Sequence, residues 1–307
     1  MPKVEILADL KLDPRQLARI ELHSFQNVMT VILGELQFMG TVLGDKSALA
    51  GSMAIANEFL RAITDLDKAG ALARDWDGHE ALILADIERA LALHPPGPEH
   101  RSLFDESISN LKRIFGVIRI RVEELLARLK APGQWEAVRT GEVEARLRQV
   151  LDAIAENSRG RYGIVFDPAR QGPNDYLVKI KILGGTAGEI RLPPVLLDTL
   201  RDLTANARKY SAPGAVIESY LIENQAGLNL VVSDTGRGIP EEEIEKVVGF
   251  GVRGSNTTPE ETKGGGYGLT KACLVCKKHG GRMWIESELD VGTTVRIFIP
   301  RPQGPAE

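Results

Sequence analysis

Four short clusters occur in a fixed order in the last third of the chain, and that order leaves few folds open. They are Asp202-Leu203-Thr204-Ala205-Asn206-Ala207-Arg208-Lys209-Tyr210-Ser211, Asp234-Thr235-Gly236-Arg237-Gly238-Ile239, Gly264-Gly265-Gly266-Tyr267-Gly268-Leu269 and Gly292-Thr293-Thr294. Asp202, Asn206 and Lys209 are spaced four and three apart, so a helix places them on one face. A side-chain amide such as Asn206 can ligate Mg²⁺, which takes oxygen ligands and keeps waters and substrate phosphates in its shell. Lys209, one turn on, is a point charge for phosphate oxygens. Asp234 follows the apolar run 228–232, which reads as a buried strand. A carboxylate there can accept a hydrogen bond from an exocyclic amine such as that of adenine. Gly236 and Gly238 let the backbone approach a base closely. Gly264, Gly266 and Gly268 lead into a helical pattern over 269–279, and a helix N-terminus offers free N–H groups to phosphate. Each cluster alone fits an ordinary turn or a polar helix face. Together, in this order, they describe a pocket for Mg-ATP.

On these residues the chain resembles the GHKL ATPases, which include sensor histidine kinases, gyrase B subunits, heat-shock ATPases and mismatch-repair ATPases. The resemblance runs from about residue 141 to 300. It is closest to the histidine kinases, through the short lid Gly249-Phe250-Gly251-Val252-Arg253-Gly254 and the closing stretch His279-Gly280-Gly281-Arg282-Met283-Trp284-Ile285-Glu286-Ser287. The resemblance implies an α+β fold, with an N-terminal helical bundle followed by an α/β-sandwich ATP domain. It implies that Asn206 holds Mg²⁺, that Asp234 reads adenine, and that Lys209 and the lid glycines hold phosphate. Thr293 or Thr294 would help fix the base. Tyr210, Gly236, Gly238, Arg253, Gly264, Gly266, Gly268 and Leu269 complete the implied nucleotide set.

A histidine kinase needs a phosphoacceptor. Asp13-Pro14-Arg15-Gln16 reads as a helix start with an Asp cap, Pro in the first turn and Gln as the return partner. The helix is expected to run to about Leu43, with Ile20, Phe25, Val28, Ile32, Leu36, Met39 and Leu43 as its apolar stripe. His23, Asn27, Thr30, Gly34, Gln37 and Thr41 fall on a separate, mostly polar stripe, so His23 is expected to be exposed, with Asn27 one turn below. The stretch from His23 through Leu36 resembles a phosphoacceptor box, which makes His23 the implied phosphoryl carrier and Asn27 the residue linked to water positioning when a partner is dephosphorylated. Ser24 stands where the family has Asp or Glu. Such an acid orients the ring and raises its basicity; serine is neutral and a poor base. Glu21, two residues away, does not share a face with His23. An acid restored at position 24 is therefore expected to speed phosphorylation. Asp202 sits where some GHKL members keep an acidic residue that activates water or a hydroxyl.

The rest of the chain sets the frame. With 307 residues there is room for two domains, and a hydrophobic fraction of 43% with 26% charged residues is ordinary for a globular chain. A net charge of −4 gives no reason to expect nucleic acid as a partner. No apolar run approaches the ~20 residues of a membrane span, and no signal pattern opens the chain. The expectation is a cytoplasmic kinase driven by an upstream sensor or input protein. Cys273 and Cys276 lie one helical turn apart with no second pair, which favours packing over zinc or redox chemistry.

Phe104, Ile108, Leu111, Phe115, Ile118, Val122, Leu125 and Leu129 make a heptad seam. Between this helix and the first, residues 45–98 hold amphipathic stretches over 48–76 and 80–94, read as an extra helical hairpin. That hairpin can bind an input protein, or it can fold back so that one chain completes its own bundle; the first case goes with a homodimer, and the second removes the need for one. The expected domains are 1–132, helical with the insertion at 45–98, and 141–300, binding ATP. Within the latter, 177–183 and 189–192 read as paired strands, and 283–287 with 294–299 as an edge hairpin. The function that follows is autophosphorylation of His23 with Mg-ATP and transfer of the phosphoryl group to an aspartate of a response-regulator receiver domain, with phosphatase activity toward that regulator through Asn27. The competing readings are a GHKL ATPase or protein kinase that does not use His23, and a phosphotransfer or scaffold protein with a weak ATP domain.

Overall fold

The computed structural model describes every residue except 131–132, 157, 159, 186–187, 258–264 and 303–307. Its contacts divide the chain into Asp13–Lys130 and a second unit made of Met1–Leu12 with Ala131–Glu307.

The first unit is helical. Helix α1 spans Pro14–Val42 and starts on a capping box: Gln16 N donates to Asp13 Oδ1 at 2.8 Å, and Asp13 N donates to Gln16 Oε1 at 2.9 Å. Such a cap contributes ~1 kcal/mol. Residues 45–98 form three helices rather than a hairpin: α2 (Ala50–Arg61), α3 (Leu66–Arg74) and α4 (Trp76–Leu93), with a 3-10 turn at Ala62–Thr64. The stretch read as one helix breaks at Asp65, whose extended backbone (φ −144°, ψ 104°) lets its side chain cap α3 by accepting from Lys68 N at 3.1 Å. A second break falls at Asp75, just before α4. The last helix, α5, spans Pro98–Lys130 and carries the seam.

The insertion folds back. Leu22, Phe25, Met29, Ile32, Leu36 and Met39 of α1 share one core with Phe104, Leu111, Phe115, Ile118 and Leu125 of α5, and with Phe59, Ala73, Trp76, Ile83 and Ile87 of α2–α4. A file of rings crosses that core. Phe25 lies 5.5 Å from Phe59, Phe59 lies 5.7 Å from Trp76, and Trp76 lies 5.8 Å from Phe115, so the contacts run from α1 through α2 and α4 to α5.

The second unit is α+β. Its strands are β1 (Lys3–Glu5), β2 (Glu136–Arg139), β3 (Ile164–Val165), β4 (Tyr176–Leu183), β5 (Glu189–Leu192), β6 (Val216–Glu223), β7 (Gly227–Asp234), β8 (Arg282–Glu288) and β9 (Gly292–Pro300); its helices are α6 (Thr140–Glu156), α7 (Val195–Lys209) and α8 (Gly268–Lys278). The main sheet runs β1-β8-β9-β7-β6-β4-β3, antiparallel except for the β3–β4 and β4–β6 pairs. Period-two patterning brings Ile217 and Leu221 of β6 and Leu228, Leu230 and Val232 of β7 to one face. Val143, Leu147 and Leu151 of α6, Leu196, Leu200 and Leu203 of α7, and Ala272, Cys273 and Cys276 of α8 cover that face. One layer of helices on a mixed sheet is the α+β arrangement. Both cysteines are thus packing residues, and burial pushes the Cys276 thiol up to about 12.

Three expectations for this unit are corrected. Strands 177–183 and 189–192 do not pair: β4 lies between β3 and β6, and β5 pairs with β2 in a separate ribbon, Ala137 opposite Arg191. The intervening α7 supplies the crossover that parallel β4 and β6 require. The closing hairpin β8–β9 is not an edge, because β1 pairs with β8, Val4 opposite Ile285. Arg282 clamps Glu5 through two bonds of 2.7 Å each, and Ile6, 4% exposed, enters the ATP-domain core. Residues 1–12 therefore belong with the sheet and not with the helical domain expected to begin at residue 1.

Candidate functional site

The site in the second unit is built where β7, α7 and α8 end or begin. The β7–β9 register sets Asp234 opposite Thr293. Its Oδ1 accepts from Gly236 N at 2.8 Å and from Thr293 N at 3.3 Å. Both donors fall on Oδ1, which leaves Oδ2 as the acceptor for an exocyclic amine. Burial pushes this carboxyl up to about 6, against the pull of the two backbone N–H groups. Gly236 is required by space: a Cβ there would stand 2.5 Å from Tyr210 O and 2.8 Å from Asp234 Oδ1. Arg237 N donates to the same Tyr210 carbonyl at 3.1 Å, so the end of α7 is clipped to the loop after β7.

Helix α7 presents Asp202 and Asn206 on one face, and the first turn of α8 lies across them. A Cβ on Gly268 would overlap the Asn206 amide nitrogen. One turn further along α8, Lys271 Nζ bonds Asp202 Oδ2 at 3.1 Å and also bonds Asp198 Oδ2. Arg201 pairs with Asp198, and the side chains of Lys271, Asp198 and Arg201 are 2%, 1% and 4% exposed. The sequence reading missed Lys271, Asp198 and Arg201. The signal for them was a lysine inside the apolar stripe of α8 facing two acids one turn apart on α7.

The other nucleotide-site residues fall as follows. Lys209 lies 5.5 Å over the Tyr210 ring, beside Asn206 at the end of α7. Gly238 O accepts from Asn256 Nδ2 at 2.9 Å, and Arg237 Nη1 donates to Asn256 O at 2.9 Å, so Asn256, also missed, pins the described part of the lid to the adenine-side loop. Gly266, at φ +71°, lies against the Arg253 side chain. Phe250 stacks on Tyr267 with centroids 4.8 Å apart. Leu269 packs against the domain core. Gly264 lies outside the described residues. Between the two threonines, Thr293 touches Asp234, whereas the Thr294 hydroxyl bonds that of Ser233 at 2.8 Å and is largely buried. The glycine-shaped space around Asp234, its open oxygen, and a helix N-terminus facing an amide fit ATP, with Asn206 as the residue able to hold Mg²⁺.

In the helical unit, His23 is half-buried rather than exposed, and its Nε2 lies 3.3 Å from Asn27 Nδ2. Ser24 is 7% exposed. The position where the family keeps an acid thus faces inward, which disfavours a charged side chain there. Across the bundle, Arg128 Nε lies 3.6 Å from Glu21 Oε2, so the end of α5 runs beside the His23 turn of α1.

Residues 193–303 match the family of histidine kinase-, DNA gyrase B- and HSP90-like ATPases, which implies ATP binding. The adaptive-response sensory kinase SasA of Synechococcus elongatus is 30% identical over 203 residues, covering 65% of this chain and 47% of that protein. The sensor protein SrrB of Staphylococcus aureus is 33% identical over 104 residues, covering 34% of this chain and 18% of that protein. The chain thus spans about half, or less, of the length of these curated relatives. The solved structure of the mycobacterial sensor histidine kinase MprB aligns over 55% of this chain and 100% of its own, with 24% identity and a TM-score of 0.38. Among the described residues no helix is long and apolar enough to cross a membrane. Residues 193–303 therefore belong to the histidine kinase-, DNA gyrase B- and HSP90-like ATPases, and the curated relatives named here are sensor kinases.

Proposed function

We propose that this chain phosphorylates itself on His23 with Mg-ATP and passes the phosphoryl group to an aspartate of a response-regulator receiver domain. The observation that carries the reading is Asp234, half-buried, anchored through one oxygen by two backbone N–H groups and open at the other. It sits one loop from the Asn206–Gly268 contact, where phosphates would meet a helix N-terminus. Mg²⁺, held by Asn206, would neutralise charge developing on the phosphates.

Neutral His23, protonated on Nδ1, offers the Nε2 lone pair to the γ-phosphorus. The P–Nε2 bond forms as the bond from the γ-phosphorus to the β–γ bridging oxygen breaks, and ADP leaves with that electron pair. Nδ1, buried in the bundle, keeps its proton, so the phosphorylated ring is an imidazolium that departs as neutral imidazole in the second step. In the second step a receiver carboxylate attacks the phosphorus and the P–Nε2 bond breaks. Asn27, one turn from His23, would orient water for clearing phosphate from the regulator. Lys271 on Asp202 weighs against the competing reading in which Asp202 is the general base of an ATPase, because a carboxylate held by an ammonium at 3.1 Å is a poor proton acceptor.

Incubation with γ-labelled ATP tests the proposal. An acid-labile, base-stable phosphoprotein that disappears in His23→Gln is the expected result. Label that survives in His23→Gln assigns the chemistry to another residue.

A further inference from the structure

We propose that Lys271 is a positioning residue that holds the Asp202 carboxylate off the metal, so that a divalent ion enters this site on Asn206 and only together with the nucleotide. The inference rests on the reading of the pocket as an Mg-ATP site and concerns the ATP unit alone.

Asp198, Asp202 and Asn206 are spaced four apart on α7, so they stand one above the next along a single stripe. An acid and an amide at that spacing, with Cβ atoms ~5–6 Å apart, can turn their oxygens onto one cation. Mg²⁺ takes oxygen ligands of both kinds. Asn206 is set up for this role: Gly268 of α8 stands closest to its amide nitrogen, and the amide oxygen is the farther atom. Asp202 is held differently. Lys271 Nζ lies 3.1 Å from its Oδ2, and Arg201 Nε lies 3.8 Å from its Oδ1, so each carboxylate oxygen has a cation beside it. Lys271 also bonds Asp198, which pairs with Arg201. Two acids and two cations thus form a neutral group. A divalent ion approaching Asp202 meets an ammonium and a guanidinium together with the carboxylate, and their repulsion cancels its attraction.

Stability alone is a poor reason for such a group. A buried ion network often stabilises no better than apolar side chains of similar volume, because desolvation offsets the attraction. The apolar rule is followed elsewhere on both helices, through Leu196, Leu200 and Leu203 of α7 and Ala272, Cys273 and Cys276 of α8. The charges gather instead in the turns of α7 that lead to Asn206 and in the turn of α8 that follows Gly268. There they bear on the metal. With Asp202 neutralised, this stripe offers the ion the neutral oxygen of Asn206, and the phosphates of the nucleotide must supply the anionic ligands. Metal and nucleotide then bind as a pair. A bare carboxylate at position 202 would instead collect a divalent ion without nucleotide, and would repel the triphosphate when no ion is bound.

The test is metal binding by the full chain, with Mn²⁺ as the probe and its paramagnetic resonance signal as the readout. With the β,γ-imido analogue of ATP present, Asp202→Asn should bind Mn²⁺ within about twofold of wild type, whereas Asn206→Ala should weaken it at least ~tenfold. Without nucleotide, Lys271→Gln, which keeps a hydrogen-bond donor and removes the charge, should bind Mn²⁺ at least ~tenfold more tightly than wild type. The double variant Lys271→Gln, Asp202→Asn should lose that gain, which separates the site from other surface carboxylates. A purely structural lysine would lower stability in both Lys271→Gln chains and give metal to neither. Weakening of ~tenfold in Asp202→Asn with the analogue bound overturns the inference, as does a folded Lys271→Gln that gains no Mn²⁺. The Asp202→Asn comparison keeps Lys271 and its bond to Asp198, so it decides whether the carboxylate reaches the ion even where Lys271→Gln does not fold. A wild type that binds neither the analogue nor Mn²⁺ in its presence refutes the underlying ATP reading, whereas one that binds both with Asp202 among the ligands refutes only this inference.

Discussion

Asp234→Asn should make the apo ATP domain more stable while it stops binding ATP. Burial raises the Asp234 carboxyl from the ordinary 3.8 to about 6. A folded-state value above the unfolded one means that the native state binds the proton more tightly. Its stabilising contribution is therefore complete below about 4 and is lost as pH rises through about 6. Above that window the fold carries an ionised, poorly solvated carboxylate. About two units correspond to ~3 kcal/mol at 1.36 kcal/mol per unit. Asparagine keeps a carbonyl oxygen for Gly236 N and Thr293 N and removes the charge. After allowing for desolvation of the new amide, ~1–3 kcal/mol of the difference should appear as added stability. Adenine's amine would then face an N–H₂ group, and loss of a charged acceptor costs ~1.5–3 kcal/mol, or roughly ten- to a hundredfold in affinity. The readout is the thermal transition that ATP shifts in wild type, followed from pH 4.5 to 8.5 with and without nucleotide. The variant should melt higher than wild type at pH 8, by a margin that shrinks toward pH 4.5, and lose the ATP-induced shift. Wild-type ATP affinity should itself decline below about pH 6. A variant that melts lower than wild type at pH 8 and still binds ATP with wild-type affinity would refute both the burial argument and the adenine assignment.

Three further perturbations have worked expectations. Gly268→Ala pushes a methyl into the Asn206 amide, and a displacement of that kind should slow labelling of His23 by ~10²-fold while circular dichroism stays native. Lys271→Met strands Asp198 and Asp202 with Arg201 as their remaining cation among the pairs seen here; breaking a buried ion network by removing one member costs ~3–5 kcal/mol, measurable as a lower urea midpoint. Ser24→Asp, expected from the family pattern to speed phosphorylation, should instead lower the melting temperature and leave labelling no faster, because position 24 is 7% exposed; a labelling rate tenfold above wild type would show that the carboxylate reaches the ring.

The candidate nucleotide site was legible because its residues are concentrated in short contiguous stretches. Asp234, Gly236, Asn206 and Gly268 each lie in a cluster whose spacing already fixes the geometry, and the structure joins the clusters through bonds such as Arg237 N to Tyr210 O. What stayed illegible depends on pairing between distant segments. Residues 3–5 are too few for period-two patterning to register as a strand, yet β8 recruits them across the whole length of the chain. Likewise, 189–192 reads as a strand but carries no mark of its partner, which turns out to be 136–139. Lys271 illustrates a third limit. On a helix wheel it is a polar interruption in an apolar stripe, and only the approach of α7 shows that the interruption is matched by acids.

The insertion shows how such pairing decides the fold. Its amphipathic stretches fit equally well a docking arm and a fold-back cover, because periodicity specifies that a face is buried and not by what. The rings of Phe25, Phe59, Trp76 and Phe115 choose between the two, since each touches the next from a different helix of the same chain. Trp76 also anchors the polar side of that choice. Its indole N–H donates to Glu80 at 3.2 Å, and Arg119 of α5 donates to the other Glu80 oxygen at 2.8 Å. A helix presented to an outside partner has no use for a bond that ties it to α5. The same bonds therefore fix the insertion as part of the bundle core, with α2 and α4 tied to α1 and α5 by both rings and charges.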